Sequence, residues 1–172
     1  MRQPFRPSGT DVVVLVRRGL VALTAVGVLA TAFELATERH WNGIEQMVPW
    51  IALAVLAVAL ALLLIPGGRG VPTARMLAVL VLGAAAYGVV DHVLVNYESG
   101  ALDQRYSESW ETLPAVQQWW LAVTKTVGPA PTLAPGVLGQ SALLLVLASA
   151  GSTRRREEEP VADGKTAPAA PL

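Results

Sequence analysis

Three ionisable side chains stand inside long apolar stretches of this sequence, and they are the first candidates for chemistry. They are Glu34, Asp91 and His92. An ionisable group is costly inside a hydrocarbon layer, so its presence in an apolar span indicates a functional site. Carboxylates and imidazole bind protons and cations, and several of them together can ligate zinc, manganese or iron.

The residues around them extend this set along two predicted helices. Glu34 and Glu38 are four residues apart, as are His92 and Asn96, so each pair shares one helix face. At 1.5 Å per residue, Glu34 and Asp91 each lie roughly 8–9 Å outward from the middle of their apolar stretches. The spacing therefore predicts one polar layer at a common depth, with five members: Glu34, Glu38, Asp91, His92 and Asn96.

Three interpretations of this layer stay open. It could be a network of salt bridges and hydrogen bonds that holds the helices in register, for instance by pairing Glu34 with His92. It could bind a proton, a cation or a small polar ligand. It could instead ligate a divalent metal, although HxxxH and ExxH spacings are absent. The metal candidates are Glu34, His40, Asp91 and His92.

Other catalytic chemistry has little support in the sequence. It contains no cysteine, which excludes disulfides, thiolate metal sites and CxxC redox chemistry. GxSxG and HExxH motifs are absent, and residues 67–70 lack the Lys-Ser/Thr pair of a P-loop. The net charge of zero gives no case for nucleic acid as a partner. No cofactor is predicted, a divalent metal is left open, and an enzyme is not favoured.

Membrane-spanning helices must position this layer. Of the 172 residues, 53% are hydrophobic and 15% are charged, whereas a soluble domain carries about 25% charged residues. Four apolar stretches approach the roughly 20 residues that cross a bilayer as a helix. They are 19–37, 48–65, 76–97 and 135–153. Because these runs do not alternate as barrel strands do, the sequence predicts an all-α polytopic membrane protein with four transmembrane helices.

The flanking segments complete the predicted domain organisation. Residues 1–18 form a cytoplasmic N-terminal segment, 19–153 the transmembrane domain and 154–172 a disordered cytoplasmic tail. An alternative for the first span is a cleaved signal peptide, because Ala30-Thr31-Ala32 follows a basic segment and an apolar run.

The distribution of charge predicts the orientation. Nine arginines lie before the first span, between the second and third, or after the fourth. The positive-inside rule makes that side cytoplasmic, which predicts an N-in/C-in protein of the bacterial cytoplasmic (inner) membrane. That side holds ten positive and five negative groups, and the outer side holds three and eight. This acidic excess favours a cationic or protonatable ligand.

A further helix is predicted over 113–127, in the long connection between the third and fourth spans. Four apolar residues recur there at helical spacing: Val116, Trp119, Trp120 and Val123. Such a helix lies in the membrane interface, with Gln117, Gln118 and Lys125 towards water. Trp119 and Trp120 would form a lid, either packed on the bundle or acting as a flap over an outward-facing pocket.

Three stretches carry a resemblance to a family. They are ELATERHW at 34–41, DHVLVNYE at 91–98, and a run from Trp119-Trp120 through GPAP at 128–131 to LAPG at 133–136. These stretches resemble uncharacterised four-helix inner-membrane proteins of high-GC, actinobacterial-like bacteria. The resemblance spans about residues 15–150. Because no activity is established for that family, the resemblance transfers no functional residues.

The working hypothesis for function is a small accessory or transport-type membrane protein with an outward-facing acidic and histidine site. One alternative is a metal-dependent membrane-embedded enzyme that uses the same site. Another is a structural subunit of a larger membrane complex. The second span has no polar face from Ile51 to Ile65, so it is predicted to face the lipid bilayer or a membrane-protein partner.

Overall fold

A computed structural model describes residues 9–150 of the chain, and the regular secondary structure of these residues is entirely helical. Five α-helices are present: α1 (Gly9–Thr37), α2 (Ile44–Leu63), α3 (Val71–Ser99), α4 (Ala115–Val123) and α5 (Ala134–Ala150). Short 3₁₀ turns occur at Pro66–Gly68, Gly100–Leu102 and Trp110–Thr112. The all-α prediction is confirmed for this part of the chain.

The long helices are those of a multi-pass membrane protein. Helices α1, α2 and α3 are long and apolar enough to cross a bilayer, and α5 is a shorter apolar helix of 17 residues. Helix α1 begins ten residues before the predicted span 19–37, because two arginines do not interrupt a helix even where they end an apolar stretch. The predicted tail, 154–172, lies outside the described residues, as do residues 1–8 and the last part of the fourth span.

Helix α5 packs against all three long helices. Helices α1 and α3 each pack on both α2 and α5, which lie between them. Small residues permit the close approach: a Cβ on Gly27 of α1 would collide with the Ser141 hydroxyl of α5. On the other side of α5, Gly139 sits against Ala85 of α3. Small residues at such crossings bring helix backbones together where lipid gives no hydrophobic drive for association.

The main core is built from alanine, valine and leucine of α2, α3 and α5. Leu56 and Leu145 are completely buried there. Helix α1 contributes less, since its buried residues are Thr24 and Thr31, while Phe33 is 72% exposed. Large apolar side chains on the outside of these helices match a hydrocarbon surrounding rather than water.

One end of the bundle is formed by the start of α1, the α2–α3 turn and the end of α5. It carries four arginines: Arg17, Arg18, Arg69 and Arg75. We call it the arginine end. Arg17 donates from Nη2 to the Leu63 carbonyl at 3.4 Å. Arg75 donates from Nε to Ser149 Oγ at 3.0 Å and from Nη2 to the Ser149 carbonyl at 3.1 Å. Both arginines thus bind backbone carbonyls near the ends of helices, Leu63 of α2 and Ser149 of α5.

The opposite end contains residues 100–133, which join α3 to α5 and are called the connector. It has a small core of its own, formed by Trp110, Leu121, Ala122 and Val127. Helix α4 within it is shorter than the predicted helix 113–127. Its orientation also differs in one respect, because Gln118, predicted to face water, is buried together with Leu121 and Ala122. Val116 and Trp120 point away from the protein, 83% and 66% exposed.

Candidate functional site

The predicted polar layer is at one depth, but its members lie on two sides of the bundle. Gly88 of α3 lies against Pro135, which places the next turn of α3, with Asp91, beside the start of α5. Gly27 of α1 lies against Ser141, so antiparallel packing carries Glu34 to the same level of α5. Because α2 and α5 lie between α1 and α3, this common depth does not bring Glu34 to Asp91.

The two glutamates of α1 face outward. Both Glu34 and Glu38 are exposed. Within residues 9–150, neither carboxylate accepts a hydrogen bond or forms an ion pair, and the contact at Glu34 is to its backbone carbonyl from Thr37 Oγ1. The Glu34–His92 pairing suggested by the sequence is therefore absent from the described residues.

His92 is oriented by the connector. Its Nδ1 lies 2.8 Å from the carbonyl oxygen of Pro131. A carbonyl oxygen can only accept, so Nδ1 carries a proton and donates it. In the neutral ring this leaves the lone pair on Nε2, which has no partner among residues 9–150. Both His92 and Asp91, which precedes it in α3, are half-buried. The structure thus presents one imidazole nitrogen as a free acceptor.

Asn96 is fully buried and binds the connector. Its Nδ2 donates to the carbonyls of Ala130 at 2.8 Å and Ala122 at 3.2 Å, and it lies 3.3 Å from Thr132 Oγ1. Its Oδ1 accepts from the backbone N–H of Ala130 at 2.8 Å. Both ends of the amide are thus satisfied by the chain itself, so Asn96 ties the connector to α3. Its place among the ligand-binding candidates stays a prediction.

Gly128 lets the connector reach Asn96. Its φ of 79° lies in the left-handed region, which glycine adopts without steric cost. A Cβ at this position would overlap the backbone and the side chain of Asn96. The pair therefore fixes where the connector turns back towards α5.

A second series of hydrogen bonds ties α4 to α3, and the sequence pattern did not predict it. Tyr97 donates its hydroxyl to Gln118 Oε1 at 2.8 Å, and Gln118 Nε2 donates to the Trp110 carbonyl at 2.6 Å. The Tyr97 ring also stacks on Trp119, with centroids 4.4 Å apart, and meets Trp110 edge-on. Periodicity alone could not reveal this series, since Gln118 is polar and buried.

The lid residues pack differently from each other. Trp119 stacks on Tyr97, whereas Trp120 is largely exposed. Two shallow concavities stand out among the described residues, of about 190 Å³ between α1 and α5 at the arginine end and about 320 Å³ at Asn42–Gln46. Neither is lined by α4, Asp91 or His92.

Residues 9–150 contain no cluster of side chains that could ligate a metal ion. No group of three or more His, Asp or Glu side chains there could hold a metal ion. His40 lies in the α1–α2 turn, where its backbone carbonyl accepts a hydrogen bond from Trp50 Nε1 at 2.7 Å. The four metal candidates are therefore not gathered into one site.

An ion pair lies in the connector, outside the spans. Arg105 and Asp103 are joined at 2.8 Å, and Arg105 also donates to the Thr126 carbonyl. The side-chain hydrogen bond from Arg105 lowers the pKa of Asp103 from 3.8 to about 2, helped by the hydrogen bond from the Arg105 backbone. This pair links the start of the connector to the residues that follow α4.

Comparison with protein-family models, with curated proteins and with solved structures returned no match. The resemblance to four-helix inner-membrane proteins therefore stays a prediction.

Proposed function

We propose that this chain is a small accessory or transport-type protein of the bacterial cytoplasmic membrane, with an outward-facing site at His92 that takes up and releases a proton or binds a cation. In this proposal the chain crosses the membrane four times and both of its ends are cytoplasmic. The arginine end is then the inner end, and the connector end is the outer one.

The distribution of side chains between the two ends supports this orientation. Arg17, Arg18, Arg69 and Arg75 belong to the arginine end, as the positive-inside rule requires of a cytoplasmic face. The opposite end carries every tryptophan of the chain: Trp41, Trp50, Trp110, Trp119 and Trp120. Tryptophan favours the headgroup layer, so the exposed face of α4 fits a helix lying in the outer interface.

The observation that carries the proposed site is the hydrogen bond from His92 to Pro131. It leaves Nε2 of the neutral ring as an acceptor, and an imidazole is the side chain best suited to exchange a proton near neutral pH. The neighbouring Asp91 and the acidic excess of the predicted outer side both favour a positive charge there. A single imidazole with one carboxyl group suits a proton or a weakly held cation better than a structural metal.

The chain offers a matched control for a test, because it has just two histidines. Purified protein would be placed in vesicles loaded with a pH-sensitive dye, and a pH gradient would be imposed. We expect His92→Gln to slow proton entry at least about tenfold, since loss of a positioned acid–base group typically costs more than that. His40→Gln should behave as wild type.

Equal rates for His92→Gln and His40→Gln, or a wild-type rate equal to that of empty vesicles, would refute the proton proposal. The geometry can be examined separately by ¹⁵N spectroscopy of labelled histidine in the His40→Gln variant. The spectrum of the neutral ring should be that of the Nδ1–H tautomer. Observation of the Nε2–H tautomer would contradict the arrangement on which the proposal rests.

A structural subunit of a larger complex is the second candidate, and the surface of α1 favours it. Most of α1 is exposed, and Glu34 lies on the exposed surface close to Phe33. Ionisable groups within spans usually face protein rather than lipid. The sequence suggested the second span as the partner surface, yet α2 buries more of its residues than α1 does. A photo-crosslinker at Ala30 should then capture a partner, whereas one at Ala59 of α2, buried within the bundle, should not.

A further inference from the structure

A groove at the arginine end lies between the start of α1 and the end of α5. It has a volume of about 190 Å³, and its walls are apolar except for one side chain. The apolar walls include Val13, Val16 and Leu20 of α1 with Leu147 and Ala148 of α5. The polar side chain is Arg17. An apolar trough with a single cation is a different environment from the polar layer near His92.

Arg17 retains unused hydrogen-bonding capacity. Among the described residues, its guanidinium makes one hydrogen bond, from Nη2 to the Leu63 carbonyl at 3.4 Å. A guanidinium has five N–H donors in a planar fork, and this fork matches the oxygens of a phosphate. Arg75 differs, because two hydrogen bonds to Ser149 hold its guanidinium against α5.

The charge around the groove is positive. The charged side chains described at this end are Asp11, Arg17, Arg18, Arg69 and Arg75. Four of the five are cationic, and Arg18, next to Arg17, is exposed. A ligand that fits must therefore combine an apolar portion with an anionic group, and basic sites between membrane helices bind lipids of that kind.

We propose that this groove binds an anionic phospholipid, with an acyl chain against Val16, Leu20 and Leu147 and the phosphate on Arg17. Charge complementarity selects the anionic headgroup, and the apolar walls select the chain. This site requires the helices to lie in a membrane but does not require His92 to exchange protons, so the two proposals can fail independently.

The test is native mass spectrometry of the full-length protein in detergent, with phosphatidylglycerol or phosphatidylcholine of identical acyl chains added. Wild type should retain phosphatidylglycerol at least about fivefold more than phosphatidylcholine, since each arginine near a membrane surface favours anionic lipid by about 1 kcal/mol. Arg17→Gln should lower retained phosphatidylglycerol by a similar factor. Arg69→Gln, which changes a cation of the same end outside the groove, should lower it clearly less than Arg17→Gln does.

A second variant tests the apolar walls without touching Arg17. Leu147→Trp should fill the groove and lower retention of phosphatidylglycerol, whereas Leu80→Trp, an exposed leucine of α3 that does not line the groove, should not. Equal retention of both lipids by wild type overturns the proposal. So does unchanged retention in both Arg17→Gln and Leu147→Trp, which would mean that any bound lipid lies elsewhere on the protein.

Discussion

At the connector end a buried amide holds the chain together, whereas at the arginine end two guanidinium groups bind helix termini. Asn96 is inaccessible and satisfied at both its Nδ2 and its Oδ1 by the backbone of a segment more than twenty residues away. Arg17 and Arg75 are half-buried and donate to carbonyls of the last helical turns. Removing one partner of a buried hydrogen bond lowers the free energy of unfolding far more than removing a partner that water can replace. Substitutions at the connector end should therefore destabilise the protein more than those at the arginine end.

The largest effect is expected for Asn96→Ala. This change leaves the N–H and carbonyl groups of Ala130 without their buried partner, so we expect a loss of about 3 kcal/mol in the free energy of unfolding. Denaturant unfolding of the purified protein in detergent measures it. Asn42→Ala, an exposed asparagine at the same end, should change this free energy by less than about 0.5 kcal/mol. Similar losses for Asn96→Ala and Asn42→Ala would show that the buried amide does not stabilise the connector end.

Gly128→Ala should come next, at about 2 kcal/mol. The alanine would have to adopt a φ of 79° and would overlap Asn96. Gly136→Ala is the matched control, because a Cβ there meets nothing within 4 Å and lies in α5. The control should be neutral or slightly stabilising, since alanine favours a helix more than glycine does. A stable Gly128→Ala would show that the connector does not turn where the structure places it.

At the arginine end, Arg75→Gln should lower the free energy of unfolding by about 1 kcal/mol. It removes the hydrogen bonds to Ser149, but water can reach this position and replace them. Arg69→Gln should change nothing measurable, since Arg69 is exposed in the α2–α3 turn. Both values come from the same unfolding measurement. A cost for Arg75→Gln as large as that for Asn96→Ala would contradict the proposed difference between the ends.

The smallest effect concerns the connector at acid pH. The pKa of Asp103 is lowered to about 2 in the folded protein, so its contribution to stability is present above the ordinary value of 3.8. That contribution is lost as the pH falls through about 2. Tryptophan fluorescence of the connector should therefore change between about pH 4 and pH 2. Asp103→Asn should remove that change, and persistence of the change in this variant would assign it to another group.

The long helices could be predicted from the sequence because their signal is local. A run such as 48–65 is apolar over its whole length, and no other structure satisfies its backbone in lipid. The common depth of Glu34 and Asp91 was also predictable, since it depends on helical rise alone. Their separation was not, because the rise of a helix contains no information about which helices are neighbours.

The connector shows the same limit. Apolar periodicity predicted a helix near 113–127, and α4 is there. Periodicity also predicted that Gln118 faces water, which is wrong because Tyr97 and the Trp110 carbonyl supply its hydrogen bonds inside the protein. A polar residue can be buried when distant residues satisfy it, and spacing along the chain cannot reveal those partners.

The sequence by itself determined that the chain is helical, that its long helices suit a membrane, and where its ionisable residues stand along each helix. These properties follow from composition and from the fixed geometry of a helix. Tertiary structure alone decided that Asn96 serves the connector, that His92 is oriented by Pro131, and that Glu34 lies apart from both. Such pairings join residues far apart in the chain, and they depend on which faces of the helices pack against each other.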